Sequence, residues 1–151
     1  MLELRPARLD DPEVLALVDE VQAWYVEIYG GRDDDPTDPE EFAAPDGRFL
    51  VGRQDGEAVA MGGWSRLPGS ADVKIRRMYV RPQGRRNGYA RTLLDALEAS
   101  AQEAGAARAL LTTGTPQTAA IAFYRARGYT DVPSFGFYAD SPTAVHLGKT
   151  L

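Results

Sequence analysis

The stretch from Met78 to Leu94, MYVRPQGRRNGYARTLL, constrains this chain more than any other. A β-rich run ends at Val80, Pro82 breaks it, a loop covers Gln83 to Asn87, and a helical pattern opens at about Gly88. A helix entered this way presents unsatisfied backbone N–H groups at its N-terminus, here beside Arg85 and Arg86. Such an end binds phosphate through those donors and the helix dipole, and Gly88 and the small Ala90 let an anion approach the backbone. The stretch is not a P-loop, because no Gly-Lys-Ser/Thr follows the glycine. Nor is it a dinucleotide fingerprint: the G-x-G-x-x-G glycines are absent and the sheet before it reads antiparallel.

Charge singles out the same region. Residues 1–72 hold 17 Asp and Glu against 6 Lys and Arg, whereas residues 73–151 hold 5 against 11. Lys74 to Arg91 contains seven basic residues and no acid. One basic segment in an acidic protein points to a local anionic ligand rather than a long nucleic-acid footprint; a solvated arginine-rich face is the alternative. The acidic half would repel nucleic-acid phosphates, and no aromatic stacking residues are interleaved with the basic run.

The remaining pattern places that segment in an α/β (α+β) order. Residues 2–8 read as a first strand. Asp10 or Asp11 can cap a helix with Pro12 in its first turn, and Val14, Val18, Val21, Tyr25 and Ile28 form its apolar stripe as far as Gly30-Gly31. Arg32 to Asp46 is a polar loop with a short helical turn around Glu40 to Ala43. Phe49–Arg53, a turn at Asp55-Gly56 and Ala58–Ser65 make a hairpin, and Asp72–Val80 adds a third antiparallel strand. A helix from Tyr89 to Ala104 buries Ala90, Leu93, Leu94, Leu97 and Ala101. Ala107–Leu111 is a strand, Thr115-Pro116 opens a helix to about Arg127, and Tyr129–Ser134 and Ala144–Lys149 close the sheet. The expected order is β-α-β-β-β-α-β-α-β-β in a mixed, mostly antiparallel twisted sheet flanked by helices, with residues 1–151 as one domain.

Composition narrows the function classes. With 151 residues, 44% hydrophobic and 26% charged, the chain is an ordinary globular one with material for one core. No apolar run approaches membrane-spanning length and the start carries charge from Glu3, so the expectation is a cytoplasmic protein without a membrane partner. Zero cysteines exclude disulfides, thiolate metal sites and cysteine nucleophiles, and the single histidine, His146, argues against a metal centre.

At the Met78–Leu94 stretch the sequence resembles the GNAT superfamily of acyl-CoA-dependent N-acyltransferases. The first motif stands as Tyr79-Val80-Arg81-Pro82 followed by Arg85-Arg86-Asn87-Gly88-Tyr89-Ala90, with Leu93-Leu94 on the buried face. A second lies about thirty residues on, as Gln117, Ala120, Phe123, Tyr124, Gly128 and Tyr129 at the spacing of N-x-x-A-x-x-h-Y-x-x-x-G-F/Y. Two motifs in the right order and separation are far more specific than either alone. The resemblance covers nearly the whole chain, including the opening ELRPA strand and the hairpin.

The resemblance implies acetyl-CoA (coenzyme A) as co-substrate, no metal, and acyl transfer to an amine. Backbone amides of Arg86, Asn87, Gly88, Tyr89 and Ala90 would cradle the pyrophosphate, with Arg85 and Arg86 adding charge. The main chain of Met78, Tyr79 and Val80 would pair with the pantetheine arm where a bulge splays two strands, and one amide there would polarise the thioester carbonyl. Gln117 occupies the usual asparagine position near the cofactor. Tyr124 matches the tyrosine that protonates the departing thiolate; a core tyrosine on an amphipathic helix is the alternative.

The chain also departs from that pattern. Relatives often carry one glutamate where this chain has Lys74 and another where it has Thr112, so neither family base is present. Asp72, His146, Tyr138 and Asp140 remain as candidates and none is assigned, since a water chain can also relay the proton. Asp33-Asp34-Asp35 can attract a cationic amine or form a solvated acidic loop. Phe135-Gly136-Phe137-Tyr138 can wall the site or pack the core, and Trp24 and Tyr25 can face the cleft or the core.

The function expected on this resemblance is transfer of an acetyl group from acetyl-CoA to a primary amine of a small molecule, by direct attack because no cysteine can form an acyl-enzyme. A protein N-terminus or lysine is the rival acceptor. A CoA-binding sensor without catalysis is the rival of another class. A homodimer is the habit of that family.

Overall fold

The computed structural model describes residues 2–151. One seven-stranded sheet runs through them: β1 (Glu3–Pro6), β2 (Gly47–Gln54), β3 (Glu57–Arg66), β4 (Val73–Val80), β5 (Arg108–Gly114), β6 (Thr130–Asp131) and β7 (Ala144–Thr150). In space the order is β1-β2-β3-β4-β5-β7-β6, and every neighbouring pair is antiparallel except β4 and β5. Three helices, α1 (Pro12–Tyr29), α2 (Tyr89–Glu103) and α3 (Thr118–Ala126), complete the mixed α+β fold. No helix among the described residues is long and apolar enough to cross a membrane.

Alternation along the central strands sends side chains to two separate cores. Leu50, Ala60, Trp64 and Ile75 pack with Leu93, Leu94, Leu97 and Ala101 of α2, and Tyr124 of α3 joins the same cluster. Phe49, Val51 and Met61 pack with Val14, Leu17 and Val21 of α1 on the other face. Both faces of β2 and β3 are therefore buried, which explains their nearly unbroken apolar runs.

Several boundaries differ from the sequence pattern for local reasons. Leu17, not Val18, is fully buried on α1, because the stripe follows Val14, Leu17 and Val21. Asp11 sits at the N-cap but its carboxylate accepts from Arg8 N (2.9 Å) instead of capping the helix. The short helical turn spans Pro39–Phe42, one residue earlier than expected, with an Asp38–Glu41 capping box. Thr115-Pro116 forms a turn rather than the first residues of α3; Gln117 N bonds to Gly114 O (2.9 Å) and the helix starts at Thr118. β5 runs on through Thr112, Thr113 and Gly114 because β7 pairs with it over that whole length.

Candidate active site

The parallel pair β4–β5 is joined only at Val73–Ala109 and Lys74–Leu110. Beyond it β4 carries a bulge, where three steps from Arg76 to Tyr79 oppose two from Gly63 to Met61 on β3. Arg77 supplies the extra residue in a left-handed conformation (φ 60°). Gly62, opposite the bulge, leaves room for Met78: a Cβ there would lie 2.7 Å from Met78 Sδ. Tyr79 and Val80 still pair with β3, while among the described residues no strand pairs with the other edge of β4 beyond Lys74 and Met78 lines the space beside it.

Past Val80 the chain turns through Pro82–Gly84 into the N-terminus of α2. The first backbone bond of that helix runs from Thr92 N to Gly88 O (3.0 Å), so the amides of Arg86 to Arg91 precede any helical acceptor. Arg86 (φ 65°) and Gly88 (φ 73°) are both left-handed, which turns successive N–H groups in a concave arc. A Cβ at Gly88 would meet nothing within 4 Å, so the arc opens outward. Asn87 turns its side chain inward and donates to Gly84 O and Arg85 O (both 3.1 Å), fixing the loop from within. Arg85 Nε donates to Val80 O (3.1 Å), and the Arg86 side chain is exposed. Tyr79 packs toward α1 and Tyr89 is buried, so only their main chains reach the open side. These free donors beside two guanidinium groups fit a pyrophosphate.

Between the parted strands lie two adjoining chambers of about 300 Å³ and 120 Å³. Tyr25, Asp33, Thr112, Thr113, Gln117 and Tyr138 line both. Met78, Ala120 and Tyr124 lie at the smaller one, toward the edge of β4. The Tyr124 hydroxyl makes no hydrogen bond among the described residues, and burial holds its pKa above that of an ordinary phenol. Its ring sits edge-on between Phe123 (5.2 Å) and Tyr129 (5.6 Å). Gln117 Nε2 donates to Tyr29 Oη (2.7 Å) at the larger chamber. Tyr138 Oη donates to Asp33 Oδ1 (2.5 Å); burial first and this bond second push its pKa up to about 12. Burial, then the Asp33 charge, pushes Tyr25 up to about 12 as well.

The Acetyltransferase (GNAT) family pattern matches residues 18–129. The chain is 33% identical to an IAA acetyltransferase of Azospirillum brasilense over 138 residues, covering 91% of this chain and 90% of that one. It belongs to the GNAT acetyltransferase family. Among solved structures, a Klebsiella pneumoniae protein assigned to the acyl-CoA N-acyltransferases is 31% identical, with a TM-score of 0.85 over 100% of this chain and 98% of that one. The PaiA N-acetyltransferase of Thermoplasma acidophilum, solved with coenzyme A, shares the fold at 16% identity, with a TM-score of 0.76 over 100% of this chain and 99% of that one.

Within this GNAT frame the acidic segment after α1 behaves differently from either reading of its sequence. Asp33 and Asp35 are half-buried and paired, because β4 supplies cations to both. Lys74 Nζ lies 3.1 Å and Arg76 3.3 Å from Asp35, and Arg77 lies 3.4 Å from Asp33. Arg76 also holds Glu41 (2.8 Å) and Pro36 O (3.0 Å), and Gln22 clamps Asp33 through two backbone bonds. Residues 31–46 are thus strapped across the cleft, and of the three consecutive aspartates Asp34 alone is exposed. Lys74, which the sequence pattern marked only as a departure, anchors the strap.

The base candidates separate cleanly. Asp72 pairs with Arg108 (2.8 Å) at the start of β4, far along the strand from Met78, and Asp140 is exposed outside both chambers. Of the aromatic segment, Tyr138 lines the cleft, Phe135 packs edge-on against His146 (5.2 Å), and Phe137 is exposed. Tyr25 faces the cleft, whereas Trp24 packs against the core under α1. His146 is buried behind β5, with Nδ1 3.1 Å from Thr112 Oγ1. Sequence reasoning missed Tyr29, Thr113 and Ser141 as cleft residues, since nothing local marks them.

Proposed function

We propose that this chain, as one N-acetyltransferase domain, moves an acetyl group from acetyl-CoA to a primary amine of a small molecule by direct attack. The observation that carries the reading is the junction in the cleft: an edge of β4 that no strand pairs at Met78–Val80 and the Tyr124 hydroxyl, unbonded among the described residues, adjoin a strapped, tyrosine-walled chamber of about 300 Å³. That volume is at the lower end of the range for small-ligand sites. The strap over it disfavours the wide acidic groove that a protein N-terminus or lysine tail would need. Relationship to an IAA acetyltransferase supports a small-molecule acceptor.

Acetyl-CoA supplies an activated acyl thioester. The amides of Arg86 to Ala90 receive the pyrophosphate, with Arg85 and Arg86 adding charge at the dipole's positive end. The main chain of Met78, Tyr79 and Val80 holds the pantetheine arm in the manner of an added strand, and Gln117 borders its inner end. Tyr124 stays protonated at neutral pH because burial opposes the phenolate, and its hydroxyl has a proton to give to the departing sulfur. Thiol release from acetyl-CoA, followed with pooled small amines and with pooled peptides, tests the assignment. Release that depends on an amine pool is expected; release with peptides alone would give the protein-acceptor reading, and tight binding without release from either would give a sensor.

A further inference from the structure

The proposed transfer needs a group that takes the proton lost by the attacking nitrogen, and the carboxylates lining the chambers, Asp33 and Asp35, are already held by Arg77, Tyr138, Lys74 and Arg76. We infer that Thr112 and His146 form that acceptor as a relay, with the Thr112 hydroxyl facing the amine and the His146 imidazole receiving the proton behind it. The inference rests on the transferase reading above.

Four observations carry it. Thr112 lines both chambers, on the strand that faces the bare edge of β4. The pair Thr112↔His146 is a direct cross-strand match between β5 and β7, so the 3.1 Å contact from Oγ1 to Nδ1 is fixed by backbone register. His146 is buried, and its Nε2 has no partner within hydrogen-bonding geometry. The groups around the ring also leave it uncharged: burial lowers its pKa, Lys74 lowers it further, and the Tyr138 backbone oxygen opposes them. Lys74 is itself paired with Asp35 and the Tyr138 hydroxyl with Asp33, so these two carboxylates are already engaged. Phe135 covers one side of the imidazole edge-on.

The relay needs the Nδ1 lone pair to accept from Thr112, which places the neutral ring's proton on Nε2. The step then balances. The amine nitrogen bonds to the acetyl carbon while the carbon–sulfur bond breaks. The nitrogen's surplus proton passes to Thr112 Oγ1 as the hydroxyl's own proton passes to His146 Nδ1, and the sulfur takes the Tyr124 proton. The imidazolium later gives its proton to water and the Tyr124 phenolate recovers one, so the net result is one proton moved from nitrogen to sulfur. A weakly basic imidazole suits this task, since a nitrogen that has begun to bond to carbonyl carbon is far more acidic than a free ammonium.

His146 is the only histidine in the chain, so its ring nitrogens can be followed by ¹⁵N NMR without ambiguity. At neutral pH the account expects an uncharged ring protonated on Nε2, with a bonded Nδ1 lone pair that loses its partner in Thr112→Val. With acetyl-CoA and whichever panel amine releases thiol, Thr112→Val is expected to lower kcat by about tenfold to a hundredfold. The fall of rate toward acid pH should coincide with the NMR titration of His146 in the unsubstituted protein and vanish in Thr112→Val. Thr112→Ser keeps a hydroxyl in place and restores both. A ring protonated on Nδ1, or signals indifferent to Thr112→Val, overturns the relay whether or not turnover is found. Unchanged kcat and acid limb in Thr112→Val overturn it too, while failure of the unsubstituted protein to bind acetyl-CoA overturns the transferase reading instead.

Discussion

Tyr124 and Tyr129 stand 5.6 Å apart in one core cluster, yet removing their hydroxyls should have opposite consequences. The Tyr129 hydroxyl donates to Glu98 (2.8 Å), and Glu98 also holds Lys149 (2.9 Å). A hydrogen bond to a charged group contributes about 1.5–3 kcal/mol, and the surviving Lys149 pair softens the loss, so Tyr129→Phe should cost about 1–2 kcal/mol. At this chain length that corresponds to a fall in Tm of roughly 2–8 °C. The Tyr124 hydroxyl has no protein partner to lose, and burying an unbonded hydroxyl is unfavourable. Tyr124→Phe should therefore leave stability unchanged or raise it by up to about 1 kcal/mol, the open side of the hydroxyl being wetted by the cleft. Turnover should move the other way. Loss of a general acid lowers the rate by about a hundredfold or more in Tyr124→Phe, whereas Tyr129→Phe retains it. Thermal unfolding paired with initial rates of thiol release reads both quantities on the same samples. The reasoning fails if Tyr124→Phe is the less stable of the two variants, or if it turns over at the unsubstituted rate.

Three further perturbations probe other parts of the cleft. A Cβ at Gly114 would lie 2.2 Å from Tyr29 Oη, so Gly114→Ala must swing that ring out and break its bond to Gln117. Its stability cost is expected near 1 kcal/mol, with KM for the amine raised and acetyl-CoA affinity kept, and an unchanged KM would place the acceptor elsewhere. Gly88→Glu sets a carboxylate in the arc of free amides and strains a left-handed position; calorimetry should show acetyl-CoA binding lost, and unchanged affinity would remove the phosphate site from this loop. Asp35→Asn leaves Lys74 without its partner, while Arg76 keeps Glu41. A loss of about 1–3 kcal/mol and faster tryptic cleavage after exposed Arg32 are expected, and unaltered cleavage would mean the ion pairs do not hold the strap.

What the sequence made legible follows from how local each signal is. The strand–proline–glycine–helix junction at Val80 to Gly88 is written in neighbouring residues, and so is the apolar face of α2, and both fold as their spacing requires. The bulge at Arg77 is not, because nothing in VKIRRMYV says which residue will take a positive φ until β3 fixes the register. The strap was misread for a related reason. Its acids meet Lys74, Arg76 and Arg77 some forty positions away, and a run of three aspartates looks the same in sequence whether it is solvated or paired. Thr112 and His146 likewise become partners only through the β5–β7 pairing, which makes a residue pair out of two unremarkable strand positions.

On the proposed function, the amides at the start of α2 hold the pyrophosphate of coenzyme A and the thioester is led along β4 to Tyr124. Calorimetric titration with acetyl-CoA, beside the same titration with S-acetylpantetheine, tests it most directly, because the second compound keeps the arm and thioester but lacks the pyrophosphate. Saturable binding of acetyl-CoA that weakens with salt, together with little or no binding of S-acetylpantetheine, is the predicted result. Equal affinity for the two compounds, or no binding of acetyl-CoA, would contradict it.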